Sequence, residues 1–415
     1  MRESNKISVD LRQMVVAIES AVGLVGMNDT NHGKRVGYIA LQIANHLGFP
    51  EEDKTLVFEL GLLHDCGVSS DFVHNKLVNQ FDWEDSHSHC DLGYHLLKDF
   101  EPLARLANPI RHHHTHWSKL QNFDLTSLEK RLANLIFLAD RVDVSSAAFY
   151  GKDILLRVPD ITELIKGKSG TFFDPELIEA FLDISSYEAF WISLEERHVI
   201  RYAWDMSHLG YEKKLSFNDL KRLARIFSYI VDQKSAYTAQ HSYGVAQLAR
   251  YIAQKYQMTE MEVDEIEVAG YLHDVGKLYI PDSILKKPGP LTSPERAVIK
   301  QHSYETYEIL RPIKGLENIA KIAAYHHDNC LGTGYPFHPP KTELSLAARI
   351  IAVSDIFQAL VQDRPYREGM DINQVVSILK EMSDEGKLDN TVVQNVIEDA
   401  EGCFKVATAA ENESS

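Results

Sequence analysis

The amino-acid sequence repeats itself, and the repeat dictates two domains of one kind. NHGKRVGYIALQIANHLG (31–48) lines up with QHSYGVAQLARYIAQKYQ (240–257), and LGLLHDCG (60–67) lines up with AGYLHDVG (269–276). His32 therefore stands opposite His241, and His64 opposite His273, each pair about 210 residues apart. The same correspondence pairs His89 with His302, His112 with His326, Asp140 with Asp355 and Asp174 with Asp389. The spacing drifts by only a few residues through intervening loops, which chance does not produce. The expected organisation is one domain over 1–209, a second over 210–408 and a polar tail over 409–415.

Both copies carry helical periodicity. In SFNDLKRLARIFSYIV the apolar residues Leu220, Leu223, Ala224, Phe227 and Val231 recur at three- and four-residue steps, which makes one buried face. Ser216, with Asp219 three residues on, predicts an N-cap. Similar patterns run through 9–26, 35–47, 54–65, 245–256 and 261–273, and strand alternation is nearly absent. The fold class is all-α: two tandem helical domains arising from an internal duplication.

Composition narrows the partners. With 43 Lys and Arg against 60 Asp and Glu, the formal net charge is −17. Such a surface is wrong for coating a DNA or RNA polymer or an anionic membrane. No apolar run approaches the roughly 20 residues of a membrane span. Cys66, Cys90, Cys330 and Cys403 are scattered without a close pair, which reads as reduced thiols of a cytoplasmic protein. A homodimer is expected from the apolar positions Leu177, Phe181, Phe190 and Leu194.

The 19 histidines are the unusual number. A lone histidine is generally a cap or a solvated residue, but these fall into a pattern. The second copy offers His241, His273, Asp274, His302, His326, His327 and Asp355 as metal ligands. Imidazole and carboxylate without thiolate suit iron, manganese or zinc better than a cysteine-rich structural zinc site. Adjacent helical residues diverge by about 100°, so His273 and Asp274 can address different ions, with Asp274 between them. Two ions sharing a water form the arrangement that activates water against a phosphate ester. Lys277 adds a cation to meet charge developing on that phosphate. Arg364 and Arg367 offer guanidinium forks for phosphate. Tyr335 either stacks on a base or packs its own tight turn.

His241, HDVGK (273–277), His302, HHD (326–328), GTGYP (332–336), SD (354–355) and DRPYR (363–367) together resemble the HD-GYP family of cyclic-dinucleotide phosphodiesterases. The resemblance covers about residues 216–400 and is ordered and multi-part. It implies a helical domain that hydrolyses c-di-GMP or a related molecule with two or three iron or manganese ions. Zinc, nickel and magnesium are alternatives. By the resemblance, the seven residues above are the metal ligands. Asp274 and Lys277 are then catalytic, and Tyr335, Arg364 and Arg367 bind substrate. Tyr237 stands where three-metal members have Glu, which implies two ions here. The usual glutamate and aspartate of the HHExxDGxGYP pattern are replaced by Asp328 and Leu331, and Gln358 follows Asp355 where an aspartate is commoner. A tandem chain of this kind is similar to the 3',3'-cyclic GMP-AMP phosphodiesterase subgroup, with c-di-GMP as the other substrate.

The first copy repeats the ligand set as His32, His64, Asp65, His89, His112, His113 and Asp140. Val68 replaces the lysine, Phe149 stands where Arg364 would fall, and no GYP loop follows. The expectation is a metal-binding or structural domain without catalysis. His114 is read with His87, His95 and His116 as an ordinary histidine. Two other readings of the whole chain are a non-catalytic sensor of the dinucleotide and a hydrolase of an ordinary nucleotide.

Overall fold

A computed structural model describes residues 9–25, 31–68, 70–83, 86–208, 214–234, 240–363 and 368–409. Among them the only strands are Val9–Asp10 and Lys214–Leu215; the rest of the regular structure is helical. The all-α reading holds.

The chain divides into two compact units. One runs from Met14 to Glu212, the other from Lys213 onward together with the beginning of the chain up to Gln13. That last part differs from the expected 1–209 division. The short strands account for it: Val9 pairs antiparallel with Leu215 and Asp10 with Lys214. Gln13 also accepts the backbone N–H of Lys314 at 2.9 Å. Beyond Ala409 the polar tail lies outside the described residues.

In the N-terminal unit the helices that matter are His32–His46, Glu51–Leu63, His87–Leu97, Ala104–His112 and Ser127–Ser146. Their counterparts in the C-terminal unit are His241–Ala253, Glu260–Leu272, Gln301–Leu310, Glu317–Ala324 and Leu346–Val361. Two start signals are reciprocal capping boxes, Thr126 with Glu129 and Thr259 with Glu262. Ser216 caps Phe217–Lys234 as expected: Asp219 N–H donates to its hydroxyl at 3.1 Å. Asp174 and Asp389, paired by the repeat, are likewise both helix N-caps.

Leu177, Phe181, Phe190 and Leu194 are all buried within the N-terminal unit, where Phe190 packs against Phe181, Trp191 and Tyr38. Their apolar faces are consumed by the core, so the ground on which a homodimer was expected is removed.

Candidate metal centres

In the C-terminal unit each ligand candidate sits at an element end or on a buried helix face. The run Val268–Leu272 is buried all round, so the helix Glu260–Leu272 passes through the core and delivers His273 and Asp274 at its end. His241 opens its helix, His302 is the second residue of Gln301–Leu310, and Asp355 lies on the buried face of Leu346–Val361. His326 and His327 lie in a tight turn after Glu317–Ala324.

The inner imidazoles are oriented by backbone. His273 Nδ1 donates to Gly270 O at 2.8 Å, His302 Nδ1 to Ile299 O at 2.6 Å and His326 Nδ1 to Ala323 O at 2.7 Å. A carbonyl only accepts, so each Nδ1 carries a proton and Nε2 is the nitrogen that faces inward. His302 Nε2 and His326 Nε2 are 3.2 Å apart, a contact two lone pairs tolerate only with a cation between them or a proton on one. Asp274 divides the site. Its Oδ1 is 3.5 Å from His302 Nε2 and 3.8 Å from His326 Nε2, while its Oδ2 is 3.2 Å from His273 Nε2 and 3.9 Å from His241 Nε2. Asp355 Oδ1 joins the second group, 3.1 Å from His241 Nε2 and 3.8 Å from His273 Nε2. His327 packs on His326 with ring centroids 4.0 Å apart.

The electrostatics fit cation binding. Burial would raise Asp274, but His273 and Lys277 outweigh it and hold this carboxyl well below its usual range. Burial, reinforced by His327, pushes His302 down to about 3, and burial also lowers His326 and His327. These three rings are therefore neutral and able to ligate. His273 Nε2 and Asp274 Oδ1 are buried without a hydrogen-bond partner. Orphaned polar atoms at the centre of a carboxylate–imidazole cluster are what a divalent ion would satisfy, so the residues present fit the metal.

Lys277 Nζ contacts Asp274 Oδ2. Tyr335 lies 4.8 Å from the His327 ring and 6.4 Å from His302, centroid to centroid. Lys300 sits over the Tyr335 ring with Nζ 5.3 Å from its centroid. Sequence reasoning did not single out Lys300, although its place two residues before His302 was a usable signal. Nor did it find Gln362, whose Oε1 is 3.2 Å from His241 Nδ1. Arg364, Arg367 and Tyr237 lie outside the described residues.

The N-terminal unit builds the same plan, with one correction. His112 is not in the cluster; it ends the helix Ala104–His112 and packs on Phe123, ring centroids 4.5 Å apart. The inward ring is His113, whose Nδ1 donates to Ile110 O at 2.7 Å, as His326 does to the carbonyl three residues back. His113 Nε2 is 3.3 Å from His89 Nε2, matching the pair His326 and His302. The adjacent pair is thus His113 with His114, one residue later than the sequence alignment placed it, and His114 was missed. Its Nδ1 is 3.9 Å from Asp140 Oδ2.

The rest of the set converges. Asp65 Oδ1 is 3.2 Å from His89 Nε2, and its Oδ2 is 3.4 Å from His64 Nε2. His32 Nε2 is 3.4 Å from Asp140 Oδ1. His32 Nδ1 bonds Asp143 Oδ2 at 2.7 Å, and Asp143 also accepts from Arg35 at 2.6 Å and Tyr150 at 2.8 Å. Asp143 is another residue the sequence reading passed over. Open space of about 350 Å³ beside this cluster is lined by His32, His64, Asp65 and Val68 among others. Val68 is buried where Lys277 stands in the other copy, and among the described residues no lysine or arginine pairs with Asp65.

Comparison with known proteins agrees with both units. Two family models described as HD domain match, one over residues 30–145 and one over 224–392. The chain is 34% identical over 407 residues to the 3'3'-cGAMP-specific phosphodiesterase 1 of Vibrio cholerae, covering 97% of this chain and 94% of that one. It is 39% identical over 162 residues to a cyclic di-GMP phosphodiesterase response regulator of Xanthomonas campestris, covering 39% of this chain and 42% of that one. A solved cyclic GMP-AMP-specific phosphodiesterase of V. cholerae shares the fold with a TM-score of 0.63 at 23% identity, over 98% of each chain. Duplicated histidine–aspartate centres on duplicated helical frames, matched by family models in both halves, identify the chain as a tandem member of the HD-domain family.

Proposed function

We propose that this chain is a metal-dependent phosphodiesterase that opens a 3',5' linkage of a bacterial cyclic dinucleotide, 3',3'-cyclic GMP-AMP first, giving a linear dinucleotide. The observation that carries this reading is Asp274, whose two oxygens face two separate imidazole groups while Lys277 touches the same carboxylate. Two divalent ions, iron or manganese, would be held by His241, His273, Asp274, His302, His326, His327 and Asp355. Bound there, they supply Lewis acidity to a phosphate oxygen and to water.

The chain's own residues then have definite tasks. Backbone carbonyls keep the three inner rings in the donor-ready tautomer, so no reorganisation is needed when charge develops. Burial draws Lys277 down, but Asp274 more than restores it, and the ammonium stays protonated beside the reacting phosphate. Tyr335 and Lys300 together offer a π face and a cation beside His327, suited to a nucleotide base and its phosphate. Arg364 and Arg367 complete phosphate binding in this reading.

Chain-long similarity to a cyclic GMP-AMP enzyme favours that substrate. The c-di-GMP phosphodiesterases that match shorter stretches of the chain, 43% and 39% of it, at comparable identity make c-di-GMP the second candidate. The N-terminal unit, with its ligands intact and Val68 in place of the lysine, holds metal without hydrolysing substrate. Four free cysteines fit a reducing, cytoplasmic setting; no helix among the described residues is long and apolar enough to cross a membrane.

The test is product analysis with the manganese- or iron-loaded chain and each cyclic dinucleotide separately. The expected result is a linear product, formed faster from cyclic GMP-AMP than from c-di-GMP. Asp274→Ala should abolish it. No linear product from any cyclic dinucleotide overturns the enzyme reading, and a faster rate with c-di-GMP overturns the substrate.

A further inference from the structure

Among its differences from the C-terminal twin, the N-terminal centre carries a soft atom, the sulfur of Cys90. Cys90 follows His89 on the helix His87–Leu97, and both side chains are buried. Cys90 Sγ lies 3.6 Å from His89 Nε2 and 3.5 Å from the His113 ring at Nδ1. Donor atoms of His89, Cys90, His113 and His114 all fall within 4.8 Å of one another. At the corresponding place in the C-terminal unit stands Ser303, whose hydroxyl is 3.3 Å from His302 Nε2.

The spacing has a direct meaning. A tetrahedral ion with metal–sulfur and metal–nitrogen bonds of ~2.3 and ~2.0 Å keeps its ligand atoms ~3.3–3.6 Å apart. His89 Nε2 meets that spacing to Cys90 Sγ at 3.6 Å, to His113 Nε2 at 3.3 Å and to Asp65 Oδ1 at 3.2 Å. An independent observation points to a ligand here. His64 is 1% exposed, and its Nε2 is buried without a hydrogen-bond partner, as is Asp65 Oδ1.

We propose that Cys90 is a thiolate ligand of the N-terminal metal centre, which therefore takes a thiophilic ion of the zinc or cobalt(II) kind, unlike the nitrogen-and-oxygen centre of the C-terminal unit. Thiolate donors select such ions, whereas imidazole and carboxylate alone suit manganese and iron. Cys90 Sγ–H now donates to Ser86 O at 3.4 Å. On ligation that proton leaves to solvent as the sulfur–metal bond forms. The inference rests on the reading that the N-terminal unit holds metal, and not on the identity of the dinucleotide. Cys66 is the natural control: it is a buried free thiol one residue after Asp65, while the cysteine grouped with His89, His113 and His114 is Cys90.

The experiment is cobalt(II) titration of the full chain after chelator treatment, followed in the near ultraviolet where thiolate-to-cobalt charge transfer absorbs. The band is expected in the wild type, in Cys66→Ser and in the double variant His273→Ala with Asp274→Ala. It should vanish in Cys90→Ser, which installs the residue that the twin position already tolerates, and in Cys90→Ala. Cobalt binding without the band in the wild type overturns the proposal, as does a band that survives in Cys90→Ser. If His64→Ala with Asp65→Ala leaves the cobalt count per chain unchanged, the underlying reading that this unit holds metal fails instead, and the proposal with it. The band is read in the wild type directly, so the thiolate claim stays falsifiable even if a cysteine variant misfolds.

Discussion

In the proposed reaction, turnover would depend on the contact between Lys277 and Asp274. Lys277 is three residues past Asp274 in a tight turn, and its ammonium touches the oxygen that faces His241 and His273. Removing a preorganised cation from a site where charge develops costs roughly 10²–10³ in kcat. Lys277→Met should therefore lower kcat by that order while metal content and Tm stay near wild type; a variant that loses metal instead would make Lys277 a structural partner of Asp274. A second residue carries a pH signature. Asp232 is 5% exposed and accepts from Ser242 Oγ at 3.0 Å. Burial, with Asp274 adding to it and His241 and Ser242 opposing, pushes its carboxyl up to about 6. A carboxyl raised in the folded state contributes stability that is fully present below the unfolded value near 3.8 and is lost as pH rises through about 6. In chelator-treated protein, Asp232→Asn should be more stable than wild type at pH 7, by about 2–3 kcal/mol. The gap should close towards pH 4. Denaturant melts at several pH values would check this, and a gap independent of pH would remove the buried carboxyl as its source.

At the scale of elements, the two centres depend on one close approach repeated twice. A Cβ on Gly276 would stand 2.0 Å from His302 O and 2.7 Å from Thr306 N; on Gly67 it would stand 2.1 Å from His89 O and 2.8 Å from Gly93 N. Only glycine lets the turn after each histidine–aspartate pair lie against the helix that supplies the next histidine. Gly276→Ala should push that helix away, cost about 1–3 kcal/mol as overpacking does, and lower activity more than tenfold. Gly67→Ala should show a comparable fall in Tm with most activity kept. Activity loss from Gly67→Ala equal to that from Gly276→Ala would contradict a silent N-terminal centre. Elements were also where the sequence spoke clearly. Capping pairs, apolar periodicity and the repeat gave the helices and the order of ligands along them. What it could not resolve was phase inside HHHTH (112–116), where neighbouring histidines are chemically identical. Only the turn of the chain after Ala104–His112, read from His113 Nδ1 on Ile110 O, shows which ring points inward. Asp143 and Gln362 escaped because each acts through a histidine's outer nitrogen, and such partners carry no motif of their own.

For the whole molecule, the net charge of −17 counts every histidine as neutral and omits bound ions. Asp65, Asp140, Asp274 and Asp355 contribute to that figure, yet all four lie inside imidazole clusters where cations would cancel them. An acidic chain with an anionic substrate is consistent once its carboxylates are sorted into solvated ones and ligating ones. The sorting also separates metal content from activity. If both units hold metal and only one turns over substrate, His64→Ala with Asp65→Ala and His273→Ala with Asp274→Ala should each lower the metal count per chain by a similar amount. Only the second pair should abolish hydrolysis; the first should leave most of it. Elemental analysis of the purified variants beside a product assay tests both halves at once. Equal metal loss with hydrolysis lost in both would mean that the N-terminal centre takes part in catalysis despite Val68. Metal loss confined to the second pair would leave the N-terminal histidines as a buried polar cluster, and their unpaired atoms, His64 Nε2 and Asp65 Oδ1, would then need water in place of an ion.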